Sequence, residues 1–148
     1  MLSVSHGLTG AFIATKLTHP LLFIPLILAS HYLQDWIPHW DAGTGLSTGR
    51  RKKSTAILLE LNDLVLMTVA VYAFWYQDGS STLLLAAIGA FIGLLPDFVE
   101  APRNFLKWEP FFLKPFNQFH NLFHNSTRNM VLGLLPQIFV VILVYFLK

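Results

Sequence analysis

Apolar residues in this chain fall in long runs with few polar interruptions, not at the three-to-four spacing of an amphipathic surface helix. The runs cover residues 4–18, 20–37, 55–77, 82–98 and 129–147. A helix needs about 20 residues to cross a hydrocarbon core about 30 Å thick, and runs of this order predict membrane segments. Breakers separate them: His19-Pro20, the basic cluster Arg50-Arg51-Lys52-Lys53, the turn Asp78-Gly79-Ser80-Ser81, and the stretch Pro96 to Pro102. The expectation is an all-α fold, a polytopic integral membrane helical bundle of about five membrane segments in one domain, 1–148. The first segment is short and carries Lys16. Between the fourth and last runs lies WEPFFLKPFNQFHNLFH, with Phe at 111, 112, 116, 119 and 123. Its composition reads as an interfacial helix at headgroup level, or as a helix packed on the bundle.

Composition agrees with the pattern: 54% of the residues are hydrophobic and 12% are charged, away from the usual soluble balance. No basic residues precede the first apolar run, so it reads as a retained segment and not as a cleaved leader. The net charge of +2 gives no reason to expect nucleic acid as a partner. The position of the charges is more informative. Short loops rich in Lys and Arg mark the cytoplasmic side. If the 50–53 cluster is inside, alternation puts Arg103, Lys107, Lys114 and Arg128 inside too, eight of the ten basic residues. Only Lys16 and Lys148 fall outside. The N-terminus is then cytoplasmic, and a bacterial inner membrane is the expected location.

With that topology, the remaining polar residues converge at one depth. His6 begins the first segment, His31 and Asp35 end the second, and Asp41 follows it. Glu60 and Asp63 lie in the first turns of the third, Asp97 and Glu100 end the fourth, and His120 and His124 belong to the cytoplasmic stretch. His31/Asp35 and His120/His124 are four apart, and Glu60/Asp63 and Asp97/Glu100 three apart, so each pair shares a helix face. Any one pair reads equally well as a polar packing contact; four pairs at one depth do not. Residues 54–102 contain no Lys or Arg, so clustered carboxylates there must protonate or be neutralised by something outside the sequence. A divalent cation does this directly. With no cysteine in the chain, imidazole and carboxylate would hold it, which suits Zn²⁺, Mn²⁺ or Fe²⁺. Ten candidate ligands exceed the four or five of a single zinc site, so two or three ions are expected. His39 fits the spacing less well than Asp41, and His19 lies at the opposite end.

The stretch SHYLQDWIPHWDAG, residues 30–43, resembles the HY-x-x-D-x-x-x-P-x-H motif of the zinc-dependent phospholipase C and single-strand nuclease superfamily. That resemblance implies His31 and Asp35 as zinc ligands. It also implies a third ligand ten residues beyond the first His, where Asp41 stands with His39 as a rival. SHGLTGAFIA with His6, GLLPDFVE with Asp97 and Glu100, and FHNLFHNS with His120 and His124 look like the motifs of the YdjM-type family of bacterial inner-membrane metal-dependent hydrolases. In this chain the SHYLQD element precedes LLPD instead of following the paired histidines, the second acid is shifted by one to Glu100, and the Arg-Gly between the paired histidines is absent.

Together these features imply metal-dependent hydrolysis of a phosphoester or a phospholipid headgroup at the cytoplasmic face. The ions would acidify water and stabilise the phosphoryl oxygens, and Asp63 and Glu100 are the candidates for general base or ligand orientation. A di-iron lipid hydroxylase is the first alternative, against which the chain has only six histidines and no Glu-x-x-His pair. A metal-ion transporter is the second, but residues 64–76 and 83–93 offer almost no polar path.

Overall fold

The computed structural model describes residues 1–148, folded as six α-helices. They are α1 (Ser3–Leu17), α2 (Pro20–Trp36), α3 (Lys53–Trp75), α4 (Ser80–Ala101), α5 (Lys114–Phe123) and α6 (Met130–Leu147). The five long apolar runs each become a helix. Three of them, Lys53–Asp78, Ser80–Leu106 and Met130–Leu147, are long and apolar enough to cross a membrane. At 15 and 17 residues α1 and α2 fall short of that length, so five crossing segments do not follow from the helices themselves.

Local chemistry sets the boundaries. Thr18 ends α1 in the left-handed conformation with its N–H bonded to Ala14, and His19 then leads Pro20 into the first turn of α2, where its missing donor costs nothing. Asn129 caps α6 by accepting from the N–H of Leu132.

α1 lies at the centre, touching α2, α3, α4 and α6. Its closest neighbour is α4, because Gly10 and Gly89 meet backbone to backbone where any Cβ would collide. At Gly93 an added Cβ would stand 2.6 Å from the carbonyl oxygen of His6. Small residues at a crossing let apolar helices approach without a hydrophobic driving force, and here the approach brings the start of α1 beside the end of α4. The apolar core, including Leu8, Ala11, Val71, Trp75, Ala86, Ala90 and Val144, lies away from the polar end. At the opposite end Lys148 pairs with Asp78 across the α3–α4 turn.

Candidate metal centre

His31 and Asp35 project from one face of the last two turns of α2 and are fully buried. The helix stops at Trp36 ahead of Pro38, as expected for a residue that cannot follow an α-conformation. The extended chain that follows pairs with the segment after α5. His39 N–H donates to Asn125 at 3.1 Å, Thr127 N–H donates to His39 at 2.7 Å, and Asn125 N–H donates to the carbonyl of Asp35 at 2.9 Å. This short parallel bridge sets His39 and Asp41 against His124.

Two groups of ligand atoms result. In the first, His31, Asp35, Asp97 and His120 come together from α2, α4 and α5. His120 Nε2 is 2.9 Å and His31 Nε2 3.3 Å from Asp35 Oδ2, both imidazoles are 3.7 Å from Asp97 Oδ1, and the two Nε2 atoms are 3.4 Å apart. In the second, His39 Nε2 and His124 Nε2 each stand 3.3 Å from Asp41 Oδ2 and 3.4 Å from one another. Tetrahedral zinc with ligands at about 2.0–2.1 Å has ligand-to-ligand edges of about 3.3–3.4 Å. The second group is a triangle of those dimensions, and the first scatters around them. Asp35 links the two, since its Oδ1 lies 3.6 Å from His39 Nε2 while its Oδ2 serves the first group.

The protonation pattern fits a cation. His31 Nδ1 is 2.8 Å from the carbonyl of Gly93, and His39 Nδ1 is 2.9 Å from the carbonyl of Ile37. A carbonyl only accepts, so each Nδ1 carries the proton, and in the neutral ring Nε2 is left as a lone pair aimed into the group. Asp41 uses Oδ1 to accept from Thr44 at 3.1 Å, while its Oδ2 is buried with no hydrogen-bond partner. An orphaned carboxylate oxygen facing imidazole nitrogens is what a metal ligand looks like without its ion. Burial opposes charge on Asp41, but the neighbouring His124 and His39 outweigh it and hold the carboxyl well below the usual carboxylate range. Burial likewise opposes protonation of His124, and Asp41 more than offsets it, raising the imidazole above its ordinary value.

The other predicted ligands divide. His6 is buried, stacks on His31 at 3.9 Å between ring centroids, and brings Nε2 to 3.1 Å from Asp35 Oδ1. The N-terminal amino group of Met1 donates to the same oxygen, forming a buried ion pair with Asp35, and lies 2.9 Å from His6 Nε2. Glu100 stands behind the first group, Oε2 3.5 Å from His120 Nδ1 and Oε1 bound to Arg103. Glu60 and Asp63 gather elsewhere: Asp63 accepts from the N–H groups of Ser3 and Val4, and Glu60 from the Ser3 hydroxyl. They cap the start of α1 from a neighbouring helix, and their carboxylates join neither ligand group. His39, ranked below Asp41 by spacing, stands beside it. The signal that could have promoted it is its position four residues beyond Asp35, but its side-chain direction depends on the bridge to Asn125 and Thr127.

Access is one-sided. The Asp97 and His124 side chains are 29% and 28% exposed, whereas those of His31, Asp35 and His39 are at 0%. A ligand from outside therefore meets the centre between the end of α4 and the end of α5. Compared with known proteins, the chain matches no protein-family model, no curated protein and no solved structure.

Proposed function

We propose that this protein is a membrane-embedded, metal-dependent phosphoester hydrolase. In this reading α1 and α2 complete a set of five membrane segments in a bacterial inner membrane, and the centre lies at the cytoplasmic face beside the basic loops. The observation that carries the proposal is the joining of two ligand groups through Asp35. Four donors on one side and three on the other leave the second group short of a full tetrahedral set, and such an open position suits catalysis. The resemblance of SHYLQDWIP to the zinc-dependent phospholipase C superfamily, and of the remaining motifs to the YdjM-type hydrolases, points to the same chemistry.

Zn²⁺ is the favoured ion for a set of imidazoles and carboxylates, with Mn²⁺ or Fe²⁺ next. When bound, paired ions polarise phosphoryl oxygens and acidify water at neutral pH. The chain does the rest. Gly93 and Ile37 fix the tautomers of His31 and His39, Glu100 places a negative charge 3.5 Å behind His120 Nδ1, and Asp35 spans the two groups. Asp97 and His124 border the open side and are the first residues that a phosphoester would meet.

The test is the metal content of protein purified without added ions, followed by hydrolysis of phosphomonoesters and phosphodiesters by wild type and by His31→Ala and Asp97→Ala. Bound zinc and activity that fall together in both variants support the proposal. A folded protein that neither carries nor takes up a divalent ion would overturn it.

A further inference from the structure

Around α5 the side chains separate into three strips. Asn117 and His120 face inward and are buried, with His120 in the ligand group. Lys114, Gln118 and Asn121 form a polar strip. The third strip is apolar: Phe116, Phe119 and Leu122 are exposed, as are Trp108, Phe111 and Phe112 in the preceding loop and Leu106 at the end of the helical turn that follows α4. Leu122 is 77% and Phe111 88% exposed. Apart from the edge of Tyr32 in α2, whose ring centroid lies 5.0 Å from that of Phe119, no other element of the fold packs on the strip formed by Phe116, Phe119 and Leu122.

The charges around it identify what does. Arg50, Lys52, Lys53, Lys107, Lys114 and Arg128 all lie at the end of the bundle that holds the ligand groups. None of them pairs with an acidic side chain; the only Lys or Arg ion pairs are those of Arg103 and Lys148. Exposed aromatic residues beside unpaired cations, at one end of helices long enough to cross a membrane, match the chemistry of an anionic lipid headgroup layer, where rings sit at the interface and each nearby cation adds attraction. A soluble protein partner would have to supply both an apolar groove and a wide acidic rim.

We propose that the apolar strip of α5 docks at headgroup depth in an anionic phospholipid leaflet, so that the phosphate reaching the open side of the metal centre belongs to a membrane lipid. The docking stands on exposure and charge alone; the substrate clause rests on the hydrolase reading. α5 thereby has two tasks, since the helix that lies in the leaflet also carries His120 and leads directly into His124.

Because the chain has no cysteine, one can be introduced cleanly at Leu122 (Leu122→Cys) and labelled with a polarity-sensitive fluorophore. A control label goes at the exposed loop residue Ser47 (Ser47→Cys). Full-length protein is reconstituted in phosphatidylcholine vesicles with and without phosphatidylglycerol. The Leu122 label is expected to emit at shorter wavelength than the Ser47 label and to be shielded from iodide. It should also be quenched more by a nitroxide near the headgroup than by one deep in the acyl chain, most strongly with phosphatidylglycerol present. Iodide access equal to that at Ser47 would overturn the docking, whatever the activity. In the second arm, Phe116→Ser combined with Leu122→Ser is expected to reduce turnover of vesicle phosphatidylglycerol roughly tenfold or more, since losing even one buried large apolar side chain is on that scale, with hydrolysis of a soluble phosphoester unchanged. An equal effect on both substrates would overturn the lipid assignment. If wild type hydrolyses neither while the label is shielded, the hydrolase reading and the substrate clause fall and the docking stands.

Discussion

At the scale of single residues, Asp35 has the most consequential position. One carboxylate oxygen faces His31 and His120 and the other faces His6 and His39, so Asp35→Ala is expected to lose metal from both groups. His39→Ala is expected to empty only the second. Metal per chain, measured by plasma emission spectroscopy, separates the two outcomes, and an unchanged count in Asp35→Ala would exclude a shared ligand. Glu100→Gln keeps the shape but removes the negative charge that stands 3.5 Å from His120 Nδ1. Outer partners of metal-binding imidazoles typically account for about 10–100-fold in affinity, so zinc affinity should fall by that order with full loading still reached at saturating zinc. Asp63 gives the contrasting case. Its carboxylate accepts from Ser3 and Val4, and Asp63→Ala leaves those donors without partners at a cost of about 1–2 kcal/mol. The expected result is a lower midpoint of thermal unfolding with zinc content unchanged.

Elements act through how they meet. α1 and α4 cross at Gly10 and Gly89 so closely that a side chain at either position meets backbone, which no rotamer change can relieve. Gly89→Leu is expected to cost about 1–3 kcal/mol or more by overpacking, and to disturb zinc binding as well, because the same crossing holds Gly93, the acceptor for His31 Nδ1. Circular dichroism melts and zinc titration of one preparation would register both effects; a variant that loses stability yet binds zinc as before would uncouple the crossing from the centre. The helices were legible in the sequence, since each apolar run became one. The depth of α1 and α2 was not, because 15 and 17 residues lie below the length at which hydropathy alone decides whether a helix crosses.

For the molecule as a whole, candidate ligands from α2, the loop after it, α4 and α5 meet in one place, so binding of an ion there would be linked to folding. Zinc at about 100 times its dissociation constant should stabilise the protein by about 2.7 kcal/mol, and chelation should remove that increment. Protons compete with metal at imidazole, so the zinc-induced rise in melting temperature should shrink as pH falls through the histidine range, about 6.5 for a free side chain. The raised value of His124 moves the onset of that loss above the ordinary range. Without metal the sign reverses. The protonated His124 paired with Asp41 stabilises the fold below the unfolded imidazole value, and that contribution is lost as pH rises through the raised one. A melting temperature that follows the same pH course with and without zinc would rule out His124 as a ligand.

Sequence by itself determined the helices, the concentration of basic residues in the connecting segments, and most of the polar residues that gather, because helical periodicity and the cost of unpaired charge in an apolar chain are local properties. His31 with Asp35 follows from a spacing of four on one helix. Which carboxylates end in the centre is decided only in three dimensions. Glu60 and Asp63 share the spacing and composition of ligand pairs, yet Asp63 meets the N–H groups at the start of α1 and Glu60 the Ser3 hydroxyl. His39 lies outside any helix and enters because its backbone bonds to a segment more than 80 residues away, where His39 pairs with Asn125 and Thr127. Long-range backbone pairing leaves no period in the sequence, so the partition of one predicted cluster into two linked ligand groups and a helix cap belongs to the tertiary structure.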